Sequence, residues 1–301
     1  MTINDTIKAL NSYRHPYKNW LQILLLRKLF NRKIIIVKFR NGKSILLPSE
    51  LVYSLKCLIA MNLNSMEAII NSLEFDGNSG ILRFLFKGKI VSLKFFDNTV
   101  MNGEFASFLG DYDFLEPIKN NIVVDIGANI GDSSISFAIE GAKKVVALEP
   151  YPYSYKWAVE NIKLNNLENK IEIINAGYGE HGIIHIDDKV STIGTVLEAT
   201  EGGKKINLLS LNDIVLNYIR YLDGEILLKM DCEGCEYNIL KEPDDVLKKF
   251  NRIVIEYHNG YENIKTKLES IGFAVEFTKP HIWYNKNTNM NLIQGYIYAR
   301  R

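Results

Sequence analysis

Apolar positions recur with two different periods along this chain, most regularly in its second half. Short apolar runs such as 122–126 and 144–148 alternate with longer segments such as 131–141, where apolar side chains recur at helical spacing. Strands that alternate with helices predict parallel strands joined by crossover helices. The last two predicted strands, 273–277 and 292–299, have no helix between them. We therefore expect them to pair antiparallel or to lie in different layers.

The same pattern predicts the other elements after residue 121. One interruption, over 182–206, is expected to form a hairpin. We predict helices over 153–167, 210–218, 235–250 and 261–271, and strands over 171–175, 225–230 and 252–257.

The first hundred residues predict a more local assembly of hairpins and helices. Asn41-Gly42 separates two apolar runs, and this dipeptide tolerates the positive φ angles of a tight hairpin turn. A second hairpin is expected over 81–96, and the segment 50–74 is expected to be helical.

Composition is that of an ordinary globular protein, with 47% hydrophobic and 24% charged residues. The length of 301 residues exceeds a typical single domain, so we predict an α+β accessory, substrate-recognition region over 1–104 and an α/β domain over 105–301. Three cysteines argue against a disulfide scaffold and suit a reducing compartment. Neither a signal peptide nor an apolar run of membrane-spanning length is visible, so we expect a cytoplasmic protein, with peripheral membrane contact left open.

Charge is unevenly distributed along the chain. Residues 1–50 carry ten Lys or Arg and two acids, a net charge of +8, and since the whole chain is +1, residues 51–301 carry −7. The segment 14–40 mixes these basic residues with apolar ones such as Trp20 and Leu24. It could lie on an anionic membrane or guide an RNA backbone. The simplest interpretation is an amphipathic helix docked on the body with a solvated basic face.

The segment 123–132, VVDIGANIGD, predicts a strand, a glycine loop and the start of a helix. Such loops lie at the carboxyl ends of strands, where open α/β sheets bind ligands. A dinucleotide fingerprint requires a third glycine where Asn129 stands, between Gly127 and Gly131, and no Gly-Lys-Ser/Thr of a phosphate-binding loop follows.

Two acidic residues at neighbouring strand ends narrow the choice of ligand. Asp125 stands two residues before Gly127, where a carboxylate would repel a pyrophosphate and attract an ammonium or sulfonium group. Glu149 ends the next strand, where it could accept both hydroxyls of a ribose. This pattern fits a ligand in which a cationic amino acid is joined to a nucleoside. S-adenosylmethionine is such a molecule.

On these residues the sequence resembles the class I S-adenosylmethionine-dependent methyltransferases, and more narrowly the FkbM family. The further carriers of the likeness are LLKMDCEGCE at 227–236 and IEYH at 255–258. The resemblance covers 105–301 and implies a Rossmann-like, seven-stranded, mostly parallel sheet closed by a reversed terminal β-hairpin. It also implies methyl transfer to oxygen, often on sugars or natural products.

Candidate site residues follow from the glycine loop, the strand ends and, for one tyrosine, the family resemblance. Asp231 or Glu233 would orient the acceptor, and His258, with a pKa near neutrality, would act as general base. The alternatives are a carboxylate that caps the following helix and an ordinary loop histidine. The cofactor-binding candidates are Tyr112, Asp125, Gly127, Ala128, Asn129, Gly131, Asp132, Glu149, Pro150, Tyr151, Asn175, Ala176 and Gly177.

Metal chemistry is left open but not predicted. Asp231, His258 and Asn259 could converge on a divalent cation, yet three ligands on two strand ends do not establish one. Cys232 and Cys235 form a C-x-x-C pair, but a structural zinc site needs four ligands, and this segment already has an explanation.

Three functional hypotheses remain. The first is a methyltransferase acting on a hydroxyl of a saccharide or another small molecule. The second makes RNA the acceptor through the basic N-terminal region. It is less favoured, because no Asn/Asp-Pro-Pro-aromatic motif follows the fourth strand of the sheet, where 231–234 reads DCEG. The third is a non-catalytic module that binds a membrane surface or a partner. Oligomeric state cannot be deduced from these patterns.

Overall fold

A computed structural model of the chain describes residues 14, 16–28, 33–61, 63–77, 79–95, 106–186, 203–285 and 290–301. The chain divides into two compact units, Met1–Gly110 and Asp111–Arg301. The boundary predicted between residues 104 and 105 lies outside the described residues.

The described part of the first unit combines helices with two small antiparallel sheets, one pairing β1 with β2 and the other in the order β3-β4-β5. Its elements are α1 (Trp20–Lys28), β1 (Ile34–Lys38), β2 (Ser44–Pro48), α2 (Ser49–Met61), α3 (Met66–Ser72), β3 (Glu74–Asp76), β4 (Ile81–Phe86), β5 (Lys89–Lys94) and α4 (Ala106–Leu109).

Both hairpins predicted in this unit are present. Gly42 has a φ of +93° in the β1–β2 turn, and Lys87 and Gly88 have φ angles of +43° and +80° in the β4–β5 turn. The single helical segment expected over 50–74 is instead two helices. A 3-10 turn over Leu63–Ser65 separates them, in a stretch whose Asn and Ser side chains compete for backbone hydrogen bonds and favour turns.

The β1–β2 hairpin exposes apolar side chains on one face. Ile34, Ile36 and Leu46 are exposed, and Ile36 lies opposite Leu46 in the strand register. Leu21 and Leu25 of α1 are exposed as well. Contact of this region with anionic lipid stays a prediction. No helix within the described residues is long and apolar enough to cross a membrane.

The second unit alternates strands and helices along the chain. Its elements are β6 (Ile122–Ile126), α5 (Asp132–Glu140), β7 (Lys144–Leu148), α6 (Pro152–Leu164), β8 (Ile171–Ile174), β9 (Ala176–Tyr178), β10 (Gly182–Ile186), β11 (Lys204–Leu209), α7 (Leu211–Ile214), β12 (Ile226–Met230), α8 (Asp244–Leu247), β13 (Arg252–Tyr257), α9 (Glu262–Ser270), β14 (Ala274–Phe277), β15 (His281–Asn285) and β16 (Met290–Arg300).

The main sheet of this unit has the strand order β14-β16-β13-β12-β6-β7-β8. The five strands from β13 to β8 are parallel, whereas β16 is antiparallel to both β13 and β14. The predicted fold class is therefore confirmed: a mostly parallel sheet of seven strands closed by a reversed terminal hairpin. One further strand, β15, pairs with β16.

Burial explains the continuous apolar runs of the central strands. All five residues of β6 are buried, as expected for a parallel strand covered on both faces. The strands β7 and β8 lie on one side of β6, and the strands β12 and β13 lie on its other side. This reversal of strand order makes the edge between β6 and β12 a topological switch point, where ligands bind in open α/β sheets.

Two connecting segments test the pattern in more detail. The hairpin expected over 182–206 is confirmed, since β10 and β11 pair antiparallel. Residues 187–202 lie outside the described ones.

The prediction of a single helix over 235–250 is wrong. A 3-10 helix over Cys235–Lys241 ends at Glu242, which is extended with φ −67° and ψ 140°, because the following Pro243 disfavours helical geometry at the residue before it.

A buried ion pair joins the two central strands. Lys229 of β12 lies beside Asp125 of β6 in the strand register, and its Nζ is 3.0 Å from Oδ1 of Asp125. The side chain of Asp125 is fully buried, and that of Lys229 is 2% exposed. Nζ also donates to the carbonyl of Gly127 at 2.8 Å. Burial opposes the charge of Lys229, but the nearby carboxylates of Asp125 and Asp231 outweigh burial and raise its pKa.

Gly127 has no room for a side chain. Its φ is +80°, and a Cβ at this position would lie 1.9 Å from the backbone oxygen of Asp231, at the end of β12. The glycine is therefore required by the neighbouring strand end as well as by the turn itself.

We predict that Lys229→Met lowers the free energy of unfolding by about 3 to 5 kcal/mol, because it leaves the Asp125 carboxylate buried without a counter-charge. Chemical denaturation measures this change. The double variant Asp125→Asn/Lys229→Met should recover a large part of the loss. If the two single variants and the double variant were strictly additive, the pair would not be coupled.

We also predict that Gly127→Ala lowers the free energy of unfolding by roughly 3 kcal/mol or more, because backbone strain adds to the overlap with Asp231. Gly272→Ala is the matched control, since Gly272 has a φ of +97° but no atom within 4 Å of the added Cβ; it should cost only about 1 to 2 kcal/mol. Equal losses in thermal and denaturant melts of the two variants would contradict the close approach.

Candidate active site

Four strand ends meet at the carboxyl edge of the main sheet. They are followed by the glycine loop after β6, Glu149 after β7, Asp231 after β12 and His258 after β13. Because these four strands are parallel neighbours, their carboxyl ends lie along one edge. The candidate residues of the sequence are therefore brought to one side of the fold.

The glycine loop is fastened to the end of β7. The backbone N–H groups of Gly127 and Ala128 both donate to the carbonyl of Leu148 at 3.0 Å. At the other end of the loop, Gly131 has a φ of +86°, and a Cβ there would lie 3.3 Å from Ala158 of α6. The second glycine thus permits α5 and α6 to pack closely.

Asp125 occupies a different environment from the one expected. Its side chain is fully buried, and Oδ2 accepts hydrogen bonds from the hydroxyls of Ser133 and Ser134, both at 2.6 Å. Oδ1 lies 3.0 Å from Nζ of Lys229, at ion-pair distance but without a hydrogen bond. In this arrangement Asp125 positions the loop and α5, and direct contact with a cofactor ammonium group stays a prediction.

Glu149 is the carboxylate at the end of β7, and it is 5% exposed. Oε2 accepts from the backbone N–H of Asn129 and Oε1 from that of Tyr151, each at 2.9 Å. Burial raises the pKa of Glu149 to about 7, against the lowering effect of these two hydrogen bonds. A carboxylate oxygen that accepts one hydrogen bond can accept another, so both oxygens remain competent to bind a pair of hydroxyls.

The other members of the glycine loop lie close to Glu149. Asn129 has a φ of +47°, and its Oδ1 is buried without a hydrogen-bond partner among the described residues. Such an orphaned acceptor suits a donor group on a ligand. Asp132 is buried in the first turn of α5, near the amino end of the helix dipole.

Candidates at the ends of β7 and β8 form one connected set. The side-chain amide of Asn175 donates to the carbonyls of Glu149 and Pro150, both at 2.9 Å. Tyr151 is buried against Ile186, on the hairpin that follows β9. Ala176 and Gly177 are buried in β9, where they pair with β11, so any contact they make with an adenine would involve backbone groups.

Tyr112 and Asp231 are brought together although 119 residues separate them in the sequence. The Tyr112 hydroxyl donates to Oδ2 of Asp231 at 3.3 Å, and the ammonium group of Lys229 lies 5.6 Å from the centre of the Tyr112 ring. Burial raises the pKa of Tyr112 well above its usual value, and the charge of Asp231 adds to this. The tyrosine is therefore a hydrogen-bond donor at neutral pH.

His258 lies between two glutamates. Nδ1 is 3.0 Å from Oε1 of Glu236 and Nε2 is 3.2 Å from Oε2 of Glu233. Burial lowers the pKa of His258, but the hydrogen bond to Glu236 and the charges of the nearby acids outweigh it and raise the pKa to about 9. The expectation of a near-neutral pKa is therefore corrected, because the histidine is protonated at neutral pH in this setting. Burial raises the pKa of Glu233, while His258 opposes that effect.

Two functional neighbours were not identified from the sequence. Glu256 of β13 has a pKa raised to about 8 by burial and by the charge of Asp231. Lys229 neutralises Asp125 from the adjacent strand. A signal for Lys229 was available, since a single lysine inside the buried run ILLKM must find a counter-charge. Glu256 lies in the segment IEYH that carries the family resemblance, but the sequence analysis assigned it no role at the site.

Cys232 and Cys235 form a disulfide bond in the structure, with a Cα–Cα distance of 5.4 Å. The sequence argued against a disulfide scaffold and did not predict this single bond. The bond closes the short loop between Asp231 and Glu236, so that neither sulfur is present as a thiolate.

The donor set fits S-adenosylmethionine. Glu149 offers two buried carboxylate oxygens for ribose hydroxyls, and Asn129 offers an unused amide oxygen. Asp231 and Glu233 follow β12 at the same edge, and carboxylates there favour a cationic ligand over a phosphate.

Comparison with known proteins identifies a family for this chain. Residues 125–279, about half of the chain, match the family described as the methyltransferase FkbM domain. The chain is 27% identical over 165 residues to a tRNA(Phe) (4-demethylwyosine(37)-C(7)) aminocarboxypropyltransferase of Pyrococcus horikoshii, covering 55% of this chain and 51% of that protein. It is 25% identical over 174 residues to the hexuronic acid methyltransferase AglP of Haloferax volcanii, covering 54% and 68%.

Among solved structures, M. jannaschii TYW2 in complex with AdoMet aligns with a TM-score of 0.40 and 19% identity, over 76% of this chain and 91% of that chain. The chain spans about half the length, or less, of several of the curated relatives that it matches. The family match includes the strand end with Asp125, the Glu149 carboxylate and the segment from Asp231 to His258. The chain therefore belongs to the FkbM-domain family of S-adenosylmethionine-dependent methyltransferases.

Proposed function

We propose that this protein transfers a methyl group from S-adenosylmethionine to a hydroxyl group on a saccharide or another small molecule. The observation that carries the proposal is the placement of Asp231. Its half-buried carboxylate stands at the end of β12, beside the glycine loop, and accepts a hydrogen bond from Tyr112. A carboxylate in this position can accept the proton of an acceptor hydroxyl.

Cofactor binding is assigned to the strand ends on the β7 and β8 side. Glu149 would accept the ribose hydroxyls, and Tyr151 would border the ribose. Asn175, Ala176 and Gly177 would flank the adenine. The loop from Gly127 to Asp132 would lie against the methionine part, with the bound cofactor supplying an electrophilic methyl group on its sulfonium.

The chain's own contribution to the reaction is positioning and charge. Asp231 would orient the acceptor hydroxyl in line with the transferred methyl group and accept its proton, while Tyr112 fixes the carboxylate through Oδ2. Holding two reactants in the correct geometry supplies a large part of such rate enhancements. His258 would balance the negative charge of Glu233 and Glu236, between which it lies.

Two observations favour a hydroxyl over a base amine. The segment after β12 is Asp231-Cys232-Glu233-Gly234, which lacks the prolines and the aromatic residue of an amine-methylating motif. One relative is named as acting on a hexuronic acid, which supports a saccharide acceptor. Another is named for a tRNA, so RNA is kept as an outcome of the test. Recognition of the acceptor is assigned to the N-terminal region, 1–104.

The acceptor class can be tested with labelled cofactor. The protein is incubated with methyl-labelled S-adenosylmethionine and host extract, and label is measured in separated glycan, lipid, RNA and protein fractions. We expect alkali-stable label in glycan or small molecules, and about a 100-fold lower rate for Asp231→Asn, since general base catalysis contributes about 10²- to 10⁴-fold. Glu180→Gln, an exposed carboxylate paired with Lys241, serves as the control. Label confined to RNA would overturn the acceptor proposal.

Cofactor affinity should depend on pH through Glu149. Its pKa of about 7 means that the carboxylate loses its proton between about pH 6 and pH 8. Because the ionised form is the better acceptor of hydroxyl hydrogen bonds, affinity for S-adenosylmethionine should rise by about tenfold over this interval. Calorimetry at several pH values measures the rise. Glu149→Gln should bind more weakly and show a flatter profile, whereas an equal pH dependence in both proteins would contradict the assignment.

A further inference from the structure

We propose that Asp231, Glu233 and His258 form a binding site for one divalent metal ion. Each of the three residues offers a ligand atom, and these atoms lie within 4.8 Å of one another. Nε2 of His258 and Oε2 of Glu233 are 3.2 Å apart. Neighbouring ligands of an octahedral ion with bonds of about 2.1 Å lie about 3 Å apart, so this pair already has the required spacing.

The histidine is oriented as a metal ligand by a fully buried glutamate. Oε1 of Glu236 accepts from the backbone N–H of His258 at 3.0 Å and lies 3.0 Å from Nδ1 of the same residue. Oε2 of Glu236 accepts from the N–H of Gly234 at 2.7 Å. A carboxylate that holds Nδ1–H fixes the ring, so that Nε2 is the atom a metal would bind after displacing its proton, as in carboxylate–histidine–metal arrangements.

A second observation points independently to a ligand at Nε2. The His258 side chain is only 9% exposed, and Nε2 is buried without a hydrogen-bond partner among the described residues. The nearby Glu233 oxygen lies within ion-pair distance but not in hydrogen-bond geometry. Buried ring nitrogens are rarely left without a partner, and a cation between the three side chains would provide one.

The donor set indicates the class of metal. Two carboxylates and one imidazole suit Mn²⁺ or Mg²⁺ better than soft ions that prefer thiolates. The sulfurs of Cys232 and Cys235, in the same loop, are joined to each other. Three protein ligands leave coordination positions open, so the ion could hold and polarise an acceptor hydroxyl. This catalytic role, unlike binding itself, depends on the proposed hydroxyl methylation.

Binding is tested first with Mn²⁺ alone, without cofactor or acceptor. Titration of the purified full chain, followed by the loss of the free Mn²⁺ signal in electron paramagnetic resonance, should show one saturable site per chain. We expect His258→Gln and Asp231→Asn each to weaken binding by tenfold or more. Glu236 is not a metal ligand in this proposal, but Glu236→Gln removes the carboxylate that holds Nδ1 of His258. We expect this change to weaken Mn²⁺ binding by about 10- to 100-fold.

Controls separate the site from general effects of charge or folding. Glu180→Gln removes an exposed carboxylate elsewhere and should leave Mn²⁺ affinity unchanged. Thermal melts with and without Mn²⁺ provide a second measurement, since a bound ion raises the melting temperature of the wild-type protein. The absence of saturable Mn²⁺ binding by the folded wild type, or full retention of binding in His258→Gln, would overturn the proposal.

The metal site and the methylation proposal can fail separately. Calorimetry with S-adenosylmethionine and labelling assays after chelator treatment are run on the same preparations. Methyl transfer that persists without any bound Mn²⁺ or Mg²⁺ would remove the metal from the reaction and leave the methylation proposal intact. Mn²⁺ binding in a protein with no cofactor affinity would keep the metal site and remove the proposed activity.

Discussion

The buried pair of Lys229 and Asp125 is the contact on which the arrangement of the site depends. A lysine can lie inside a parallel sheet only if its charge is compensated, and Asp125 provides this from the adjacent position on β6. The same ammonium group binds the carbonyl of Gly127, so it also fixes where the glycine loop begins. The loop in turn donates to Glu149 and to the end of β7. One buried charge pair thereby sets the relative positions of three strand ends.

Several acidic residues lie at or near the carboxyl edge of the sheet. Asp231, Glu233 and Glu236 follow β12, Glu256 belongs to β13, and burial raises the pKa values of Glu233 and Glu256. Holding several carboxylates in a poorly solvated edge is unfavourable unless a positive charge accompanies them. His258 supplies one such charge inside the protein, and a cationic cofactor or a divalent ion would supply more.

Much of the fold could be predicted from local patterns. The alternation of apolar strands and helices predicted the parallel sheet. The absence of a helix between β14 and β16 left antiparallel pairing or separate layers open, and the family resemblance implied the reversed hairpin. The failures had local causes too. The helix expected over 235–250 ends early because of Pro243, and the one expected over 50–74 is divided at Leu63–Ser65. Strand-end acids were identified as candidates because their positions follow from strand boundaries, but the orientation of their side chains does not.

The sequence by itself determined the order of the elements, the glycine loop and the residues that end each strand, because these depend on short-range periodicity and turn chemistry. Only the tertiary structure decided which of those residues share a partner. The contacts of Tyr112 with Asp231, of Lys229 with Asp125 and of His258 with Glu236 join positions 22 to 119 residues apart. Their protonation states depend on burial and on neighbouring charges. Neither quantity exists until the strands are placed side by side.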